Sequence, residues 1–203
     1  MDSLFSIAGK TVLITGGTRG VGRTISVEFA RAGATVFANY VRNQAAADEL
    51  AALAKTESLD IRLVRADISA DAGSKQLLEF IDAQGRKIDA FIHCAATGVH
   101  KPAEQLTLRH YDWTFALNTR AFFHLTIQLL PRFAPAASVV AMSSAGAQFA
   151  VEQYTLIGAS KGALEAMVRH FAAELAPKGI RVNAISPGTL HTDAWNAMPN
   201  AGE

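Results

Sequence analysis

Cysteine is almost missing from this chain. Cys94 is the single thiol among 203 residues, so no internal disulfide can form, and one thiol cannot by itself build a structural zinc site. An excess of charge of one sign is missing too. Nineteen Lys and Arg stand against 18 Asp and Glu, a formal net charge of +1, and no basic run forms a stripe suited to a phosphate backbone, so no nucleic-acid partner is expected. No apolar run approaches bilayer length, and the opening MDSLFSIAGKTVLIT lacks the charged start and continuous apolar stretch of a secretory leader. The expectation is a soluble, cytoplasmic protein with no membrane partner. Internal repeats, low-complexity tracts and linkers are likewise absent. What is plentiful is apolar: 50% of residues are hydrophobic, enough at this length to bury a full core in one domain spanning 1–203.

Short apolar runs rich in β-formers alternate with longer helical stretches, the pattern of parallel strands joined by crossover helices. The sequence predicts strands at Val12–Thr15, Thr35–Asn39, Ile61–Ala66, Ala90–Cys94, Ser138–Ser143 and Arg181–Ser186. It predicts helices at Gly22–Ala32, Ala45–Thr56, Lys75–Gln84, Leu108–Leu130 and Tyr154–Leu175, the last with Leu164, Met167, Phe171 and Leu175 at helix-face spacing. Pro131, Pro135 and Pro177 are expected to mark helix ends. The fold class that follows is α/β: a Rossmann-type doubly wound parallel sheet with helices on both faces.

Between the first strand and the first helix lies TGGTRGVG, Thr15 to Gly22. Gly16 permits the tight turn, Gly20 lets backbone approach a pyrophosphate, and Gly22 permits close helix–strand packing, with Thr18, Arg19 and Val21 completing a loop whose amides face an anion. A dinucleotide cofactor is expected. At the end of the second strand, where an acidic residue would accept hydrogen bonds from an adenosine ribose, the chain reads ANYVRN. Asn39, Tyr40 and Arg42 are expected to line that region, with Arg19 approaching from the glycine loop. Guanidinium groups pair well with phosphate, which favours NADPH over NADH; alternatively Arg42 only caps a solvated helix start.

From Lys10 through Thr192 these motifs resemble the short-chain dehydrogenase/reductase family. The resemblance implies that Asp67, followed by Ile68 in RADIS, meets the adenine, and that Asn118 in FALNTRAFF supports the catalytic lysine through water. It also implies that Ser144 in VVAMSSAG is the catalytic serine, and that Pro187, Gly188 and Thr192 hold the nicotinamide carboxamide. Asn118 read alone could equally be an ordinary helix residue. The chain departs from the family after the fourth strand. Asn-Asn-Ala-Gly is replaced there by His93, Cys94, Ala95 and Ala96, so the asparagine bonds that brace the sheet must be replaced or lost. Ala95 remains at the cofactor. His93 and Cys94 are read as structural, and no metal is expected.

A second departure concerns the proton donor. The family's tyrosine four residues before the lysine is Ile157 here, which can donate no hydrogen bond. Tyr154, seven residues before Lys161, is the candidate replacement; three residues from Ile157 and almost two turns from Lys161, it is expected on the same helix face. Tyr-x6-Lys is similar to the enoyl-acyl carrier protein reductases, and the segments Ala95–Val99, Pro102, Tyr111–Thr114, Thr192–Ala194 and Met198–Asn200 resemble their NADPH-dependent bacterial type with a TGxxxGxG loop. The resemblance implies hydride transfer to the β-carbon of a trans-2-enoyl thioester, carried on acyl carrier protein or coenzyme A, in fatty-acid or polyketide biosynthesis. Tyr154 would stabilise the enolate oxygen and Lys161 would bind the nicotinamide ribose. The alternatives are a carbonyl (3-oxoacyl) reductase using Ser144, Tyr154 and Lys161, and a dinucleotide-binding protein without turnover.

Members of this family continue past the Thr192 region through a substrate-covering helix and a seventh strand, whereas this sequence stops at Glu203. The expectation is a fold whose C-terminal strand is missing. The Leu108–Leu130 and Tyr154 helices pair subunits in related proteins, so the resemblance implies a homodimer or homotetramer. Lys101, Arg109 and Arg120 near the expected mouth would suit an acidic carrier, or are scattered surface charge.

Overall fold

A computed structural model describes residues 6–188 and residue 190. Six strands, β1 (Thr11–Thr15), β2 (Thr35–Tyr40), β3 (Ile61–Arg65), β4 (Ile88–His93), β5 (Phe133–Met142) and β6 (Arg181–Ile185), form one parallel sheet in the order β3-β2-β1-β4-β5-β6. The expected doubly wound Rossmann-type sheet is therefore present. Helices α1 (Gly20–Arg31) and α2 (Gln44–Thr56) pack on one face; α3 (Asp71–Ala83), α5 (Ala121–Leu129) and α6 (Thr155–Leu175) pack on the other. Period-two alternation divides each strand between the two cores: Val12 and Ile14 join Val27 and Leu50, while Leu13 joins Phe91, Phe122 and Leu164. Flanked by strands and helices on every side, all five residues of β1 are buried.

Strand order reverses between β1 and β4. Thr15 pairs with Asn39 on one side and His93 on the other, so the carboxyl ends of the three central strands finish in one row. A crevice opens there because the crossovers leave in opposite directions, and this is where doubly wound sheets place ligands.

Several boundaries differ from the sequence reading: β4 and β5 begin earlier, at Ile88 and Phe133, and three further differences have a clear physical cause. The helix expected over Leu108–Leu130 is broken: α4 (Leu108–Phe115) passes into a π-helical turn over Ala116–Arg120 before α5 begins. Pro135 ends no helix. It lies within β5, in a stretch where Phe133 pairs with Ile88 and the next partnered residue is Ser138, opposite Ala90. The intervening residues bulge, with Ala136 at φ 60°, so the N–H that proline lacks is not needed by the ladder with β4. Finally, α3 starts at Asp71 rather than Lys75, the carboxylate suiting the positive end of the helix. Among the described residues no helix is long and apolar enough to cross a membrane.

Candidate active site

The glycine loop is built for close approach. Gly16 turns with φ 66°, and a Cβ there would lie 3.0 Å from the Ala95 Cα; a Cβ on Gly22 would fall 2.2 Å from the Gly16 carbonyl oxygen. The Ser26 hydroxyl lies 2.9 Å from the carbonyl oxygens of both Gly17 and Gly22, and Gly17 N–H donates to the Asn39 carbonyl, fixing the loop to α1 and β2. Thr18 is buried, Val21 half-buried, and Arg19 and Gly20 are exposed. Arg19 is the N-cap of α1 and makes no side-chain cap, so the first amides of the helix are left to an anion.

The end of β2 differs from expectation. The Asn39 side chain does not line the crevice: it is buried, and its Nδ2 donates to the carbonyls of Ala66 (2.9 Å) and Val64 (3.3 Å), stapling β2 to β3. Tyr40 stands half-buried at the strand end with its hydroxyl donating to Gln44. Arg42 is exposed. The cavity between the starts of α1 and α2, of about 370 Å³, is lined instead by Arg19, Arg23, Asn43 and Glu49 among others. Arg23 was not singled out from sequence, although it follows Arg19 by four residues and so shares its helix face. Its Nε is buried and has no hydrogen-bond partner among the described residues. Two guanidinium groups, one with an orphaned donor, together with a cradle that a Cβ would fill, fit a phosphorylated dinucleotide.

Asp67 is exposed just past β3, its Oδ1 accepting from the backbone N–H and hydroxyl of Ser69, and Ile68 beside it is buried. Ala95 lies against Gly16, and Pro187 and Gly188 follow β6 on the same edge of the sheet. Thr192, Asp193, Ala194, Met198, Pro199 and Asn200 lie outside the described residues.

The lost asparagines are replaced by a different brace. His93 is fully buried, its Nδ1 3.0 Å from the Thr15 hydroxyl, which in turn accepts from the Ala95 N–H (3.3 Å). The Thr15 oxygen can donate to Nδ1 or accept from Nδ1–H while accepting from Ala95, and Nε2 is buried with no hydrogen-bond partner among the described residues. Burial pushes the His93 pKa down to about 3, assisted by the Lys161 charge and opposed by the carbonyls of Leu117 and Asn118, so the ring is neutral at ordinary pH. Burial likewise pushes Cys94 up to about 12, keeping it a thiol. Both residues are structural.

Asn118 is no ordinary helix residue. It sits in the π-helical turn, fully buried; its Oδ1 accepts from Thr97 N–H (2.8 Å), and its Nδ2 donates to the Thr97 carbonyl and the Ser160 hydroxyl (both 2.9 Å). The loop after β4 is thereby tied to α6, one residue from Lys161.

Tyr154, Lys161 and Ser144 converge on the carboxyl end of β5. The Tyr154 hydroxyl donates to Ser144 Oγ at 3.3 Å, and Lys161 Nζ donates to the Met142 carbonyl at 2.6 Å. Tyr154 is not within the helix but is its N-cap, entered through Gln153 at φ 54°, so it reaches this position by the turn and not by helical periodicity. Gly146 is in contact with its ring, where a Cβ would lie 2.5 Å from Cδ1 and Cε1. Ile157 is buried and packed against the loop after β4, with its Cγ1 2.2 Å from where a Cβ on Gly98 would be. Lys161 is 4% exposed, and burial pulls its pKa from 10.5 to about 8. Two further residues, unremarked in the sequence, complete the wall. Glu165 accepts from Ser143 Oγ (2.6 Å) and Gln148 Nε2 (3.3 Å), clasping both ends of the turn that carries Ser144, and the His100 imidazole packs on the Tyr154 ring. Arg120 is occupied at the start of α3, bound to the Ser69 carbonyl and the Asp71 carboxylate.

A family model described as "Enoyl-(Acyl carrier protein) reductase" matches residues 16–203. The hydroxynaphthalene reductase-like protein Arp2 of Metarhizium guizhouense is 35% identical over 202 residues, covering 96% of this chain and 75% of that protein. The 1-cyclohexenylcarbonyl-CoA reductase of Streptomyces collinus is 34% identical over 188 residues, covering 93% and 67%. Among solved structures, LugOII, a promiscuous reductase that catalyses keto-reduction at C1 during lugdunomycin biosynthesis, superimposes with a TM-score of 0.86 at 32% identity, covering 93% of this chain and 78% of that one. With the glycine cradle at the strand switch point and the Tyr154–Ser144–Lys161 cluster facing it, the chain belongs to the short-chain dehydrogenase/reductase superfamily, whose members are oxidoreductases that bind nicotinamide dinucleotides.

Proposed function

We propose that the protein reduces the carbon–carbon double bond of a trans-2-enoyl thioester with NADPH, in fatty-acid or polyketide biosynthesis in the cytoplasm. The observation that carries this reading is the location of the phenol. Tyr154 is bonded to Ser144 at the end of β5, while Ile157, four residues before Lys161, is buried against Gly98. In ketone reduction the hydride goes to the carbon bearing the oxygen; in enoyl-thioester reduction it goes to the β-carbon, two bonds further from the carbonyl carbon. The oxyanion donor must then stand farther from the hydride source, and a phenol displaced by three residues meets that need. The relative named as a 1-cyclohexenylcarbonyl-CoA reductase acts, by its name, on a thioester of this type.

The cradle of Gly16, Thr18, Gly20, Val21 and Gly22 would hold the pyrophosphate. Arg19 and Arg23, helped by Arg42, would hold the 2′-phosphate that distinguishes NADPH, and Tyr40, Asp67 and Ile68 would border the adenosine. When bound, the reduced nicotinamide supplies the hydride. Lys161 holds positive charge beneath the site and would contact the nicotinamide ribose; Pro187, Gly188, Thr192 and Ala95 would border the ring. The Tyr154 hydroxyl, turning its proton from Ser144 Oγ, would donate to the enolate oxygen that develops, and solvent or a relay would supply the proton to the α-carbon. Asn118 orders the loop after β4 and would support Lys161 through water. The acyl group would arrive on an acyl carrier protein or coenzyme A, and the protein would act as a homodimer or homotetramer.

A carbonyl reductase is the second reading, favoured by the Tyr154–Ser144 hydrogen bond and by the relation to LugOII and the hydroxynaphthalene reductase-like protein. Crotonyl and acetoacetyl thioesters offered side by side, with nicotinamide absorbance as the readout, decide between them. Turnover of crotonyl thioester alone, lost in Tyr154→Phe, is the expected result. Turnover of acetoacetyl thioester alone would sink the enoyl assignment, and silence with both would leave a dinucleotide-binding protein.

A further inference from the structure

Helices α1 and α2 begin side by side at the crevice, and the small residues Gly20, Ala45 and Ala46 in their first turns leave between them the cavity of about 370 Å³. That volume is ample for a phosphate. The cavity is open to a ligand from solvent, since Arg19, Gly20, Asn43, Ala45 and Glu49 around it are exposed and Arg23 is half-buried. Its two walls carry opposite charge. Arg19 and Arg23 stand four residues apart on one face of α1, while Ala45 and Glu49 stand four apart on one face of α2, so two guanidinium groups share the space with one carboxylate.

Elsewhere in the molecule arginines close onto the carboxylates near them, as Arg31 does with Glu28 and Glu57 and Arg132 does with Asp82. Across this cavity they do not. Among the described residues neither Arg19 nor Arg23 forms an ion pair, with Glu49 or with any other acid. Positive charge left uncompensated at the wall of an open cavity attracts an anion, and a guanidinium binds a phosphate through two parallel N–H donors. Arg42 is placed differently, being exposed and no part of the cavity lining. Solvent and salt screen an exposed charge, whereas a half-buried one against a cavity wall keeps more of its attraction.

We infer that Arg23 is the residue that makes the site prefer NADPH to NADH, by pairing with the 2′-phosphate, and that Glu49 limits the preference by repelling that phosphate. The inference rests on the reading of the cofactor as NADPH, and it moves the determinant from Arg42 at the end of β2 to the facing turns of α1 and α2. Selectivity is then a balance of two charges of opposite sign. Removing the first weakens it, and removing the second sharpens it.

The test measures the dissociation constants of NADPH and NADH by calorimetry for wild type, Arg23→Ala, Arg23→Lys, Glu49→Gln and Arg42→Ala. Arg23→Ala is expected to bind NADPH about 30-fold more weakly and NADH within about twofold of wild type, because only NADPH carries the 2′-phosphate. Arg23→Lys, which keeps the charge without the planar fork, recovers part of the loss. Glu49→Gln is expected to tighten NADPH about threefold with NADH unchanged, and Arg42→Ala to alter the ratio of the two constants by less than about threefold. An unchanged ratio in Arg23→Ala, whether both cofactors bind normally or both are lost alike, would overturn the inference, as would an Arg42→Ala variant that abolishes the preference. NADPH binding that stays the same or weakens in Glu49→Gln would remove the opposing role of the carboxylate. Failure of the underlying cofactor reading shows separately, in a wild type that binds NADH as tightly as NADPH.

Discussion

Lys161 is the group whose titration the structure constrains most closely. It is buried, its one described hydrogen bond is to the Met142 carbonyl, and no carboxylate among the described residues pairs with it, so desolvation acts with little compensation and brings its pKa to about 8. The drop from the ordinary value of 10.5 to about 8 corresponds to about 3 kcal/mol of preference for the neutral amine. If the ammonium supplies the positive potential that the reaction needs, kcat/KM is flat below pH 8 and falls tenfold for each further pH unit above it. The assay is the pH dependence of kcat/KM for the accepted thioester, for wild type and Lys161→Arg. The guanidinium stays protonated throughout, so any activity left in the Arg variant lacks the alkaline limb. A limb at the same pH in both proteins, or none in wild type, would refute the assignment.

The same shift has a stability signature of definite sign. Because the folded-state pKa lies below the unfolded one, the unfolded chain binds more protons between about pH 8 and pH 10.5, and stability contributed by this group rises with pH across that window. Below pH 8 both states are protonated and the full burial penalty of about 3 kcal/mol is present. At roughly 2–4 °C per kcal/mol for a domain of this size, wild type should gain about 6–12 °C by pH 10.5 relative to Lys161→Met, the difference between the two Tm curves isolating this lysine from other titrating groups.

Gly98→Ala should weaken folding by about 1–3 kcal/mol, because the added methyl meets the stiff, β-branched Ile157 side chain; combining it with Ile157→Ala should restore much of the Tm, as a double-mutant cycle by thermal denaturation will show. Asn118→Leu should lower Tm on the order of 10 °C, since it strands both backbone groups of Thr97, each worth roughly 1–3 kcal/mol when unpaired, and removes the bond to the Ser160 hydroxyl, which keeps only its donation to the Ile157 carbonyl. Glu165→Gln replaces a charge-assisted bond from Ser143 by a neutral one, about 1 kcal/mol; the expected result is a lower kcat with unchanged NADPH affinity, because the loosened turn carries Ser144 and not the cofactor cradle. Ile157→Tyr should not create a ketone reductase: position 157 is buried against Gly98, and acetoacetyl turnover in that variant would contradict the packing.

How much of this was legible beforehand depends on whether function is written in backbone or in side-chain direction. The glycine loop is legible because each glycine answers a backbone demand that other residues cannot meet, a left-handed φ at Gly16 and a carbonyl within 2.2 Å at Gly22. The parallel, doubly wound sheet is legible from the βα alternation. Asn39 misled because a residue near a strand end points to one face or the other according to register, and the carbonyls of Val64 and Ala66 claimed it from the β3 side. Arg23 escaped notice because arginine on a helix is ordinary until a cavity is seen beside it. Pro135 and the π-helical turn at Asn118 are local exceptions that tertiary partners permit, a bulge in one case and a buried amide network in the other.

The placement of Tyr154 shows why spacing alone understates the site. Two residues seven apart would share a face only if both were helical, and Tyr154 is not; it is delivered by the turn at Gln153 and held by Gly146, His100 and Ser144, all outside α6. Lys161 belongs to the helix but is anchored to the same strand end through Met142. The phenol and the ammonium therefore keep their relation because both are referenced to the end of β5, and the Glu165 clasp fixes the turn that follows it. Changes that break these contacts at Met142, Ser143, Ser144 or Gln148 would move the Tyr154 phenol relative to Lys161. The chemistry of this site is thus set less by the Tyr-x6-Lys spacing than by the loop that meets it.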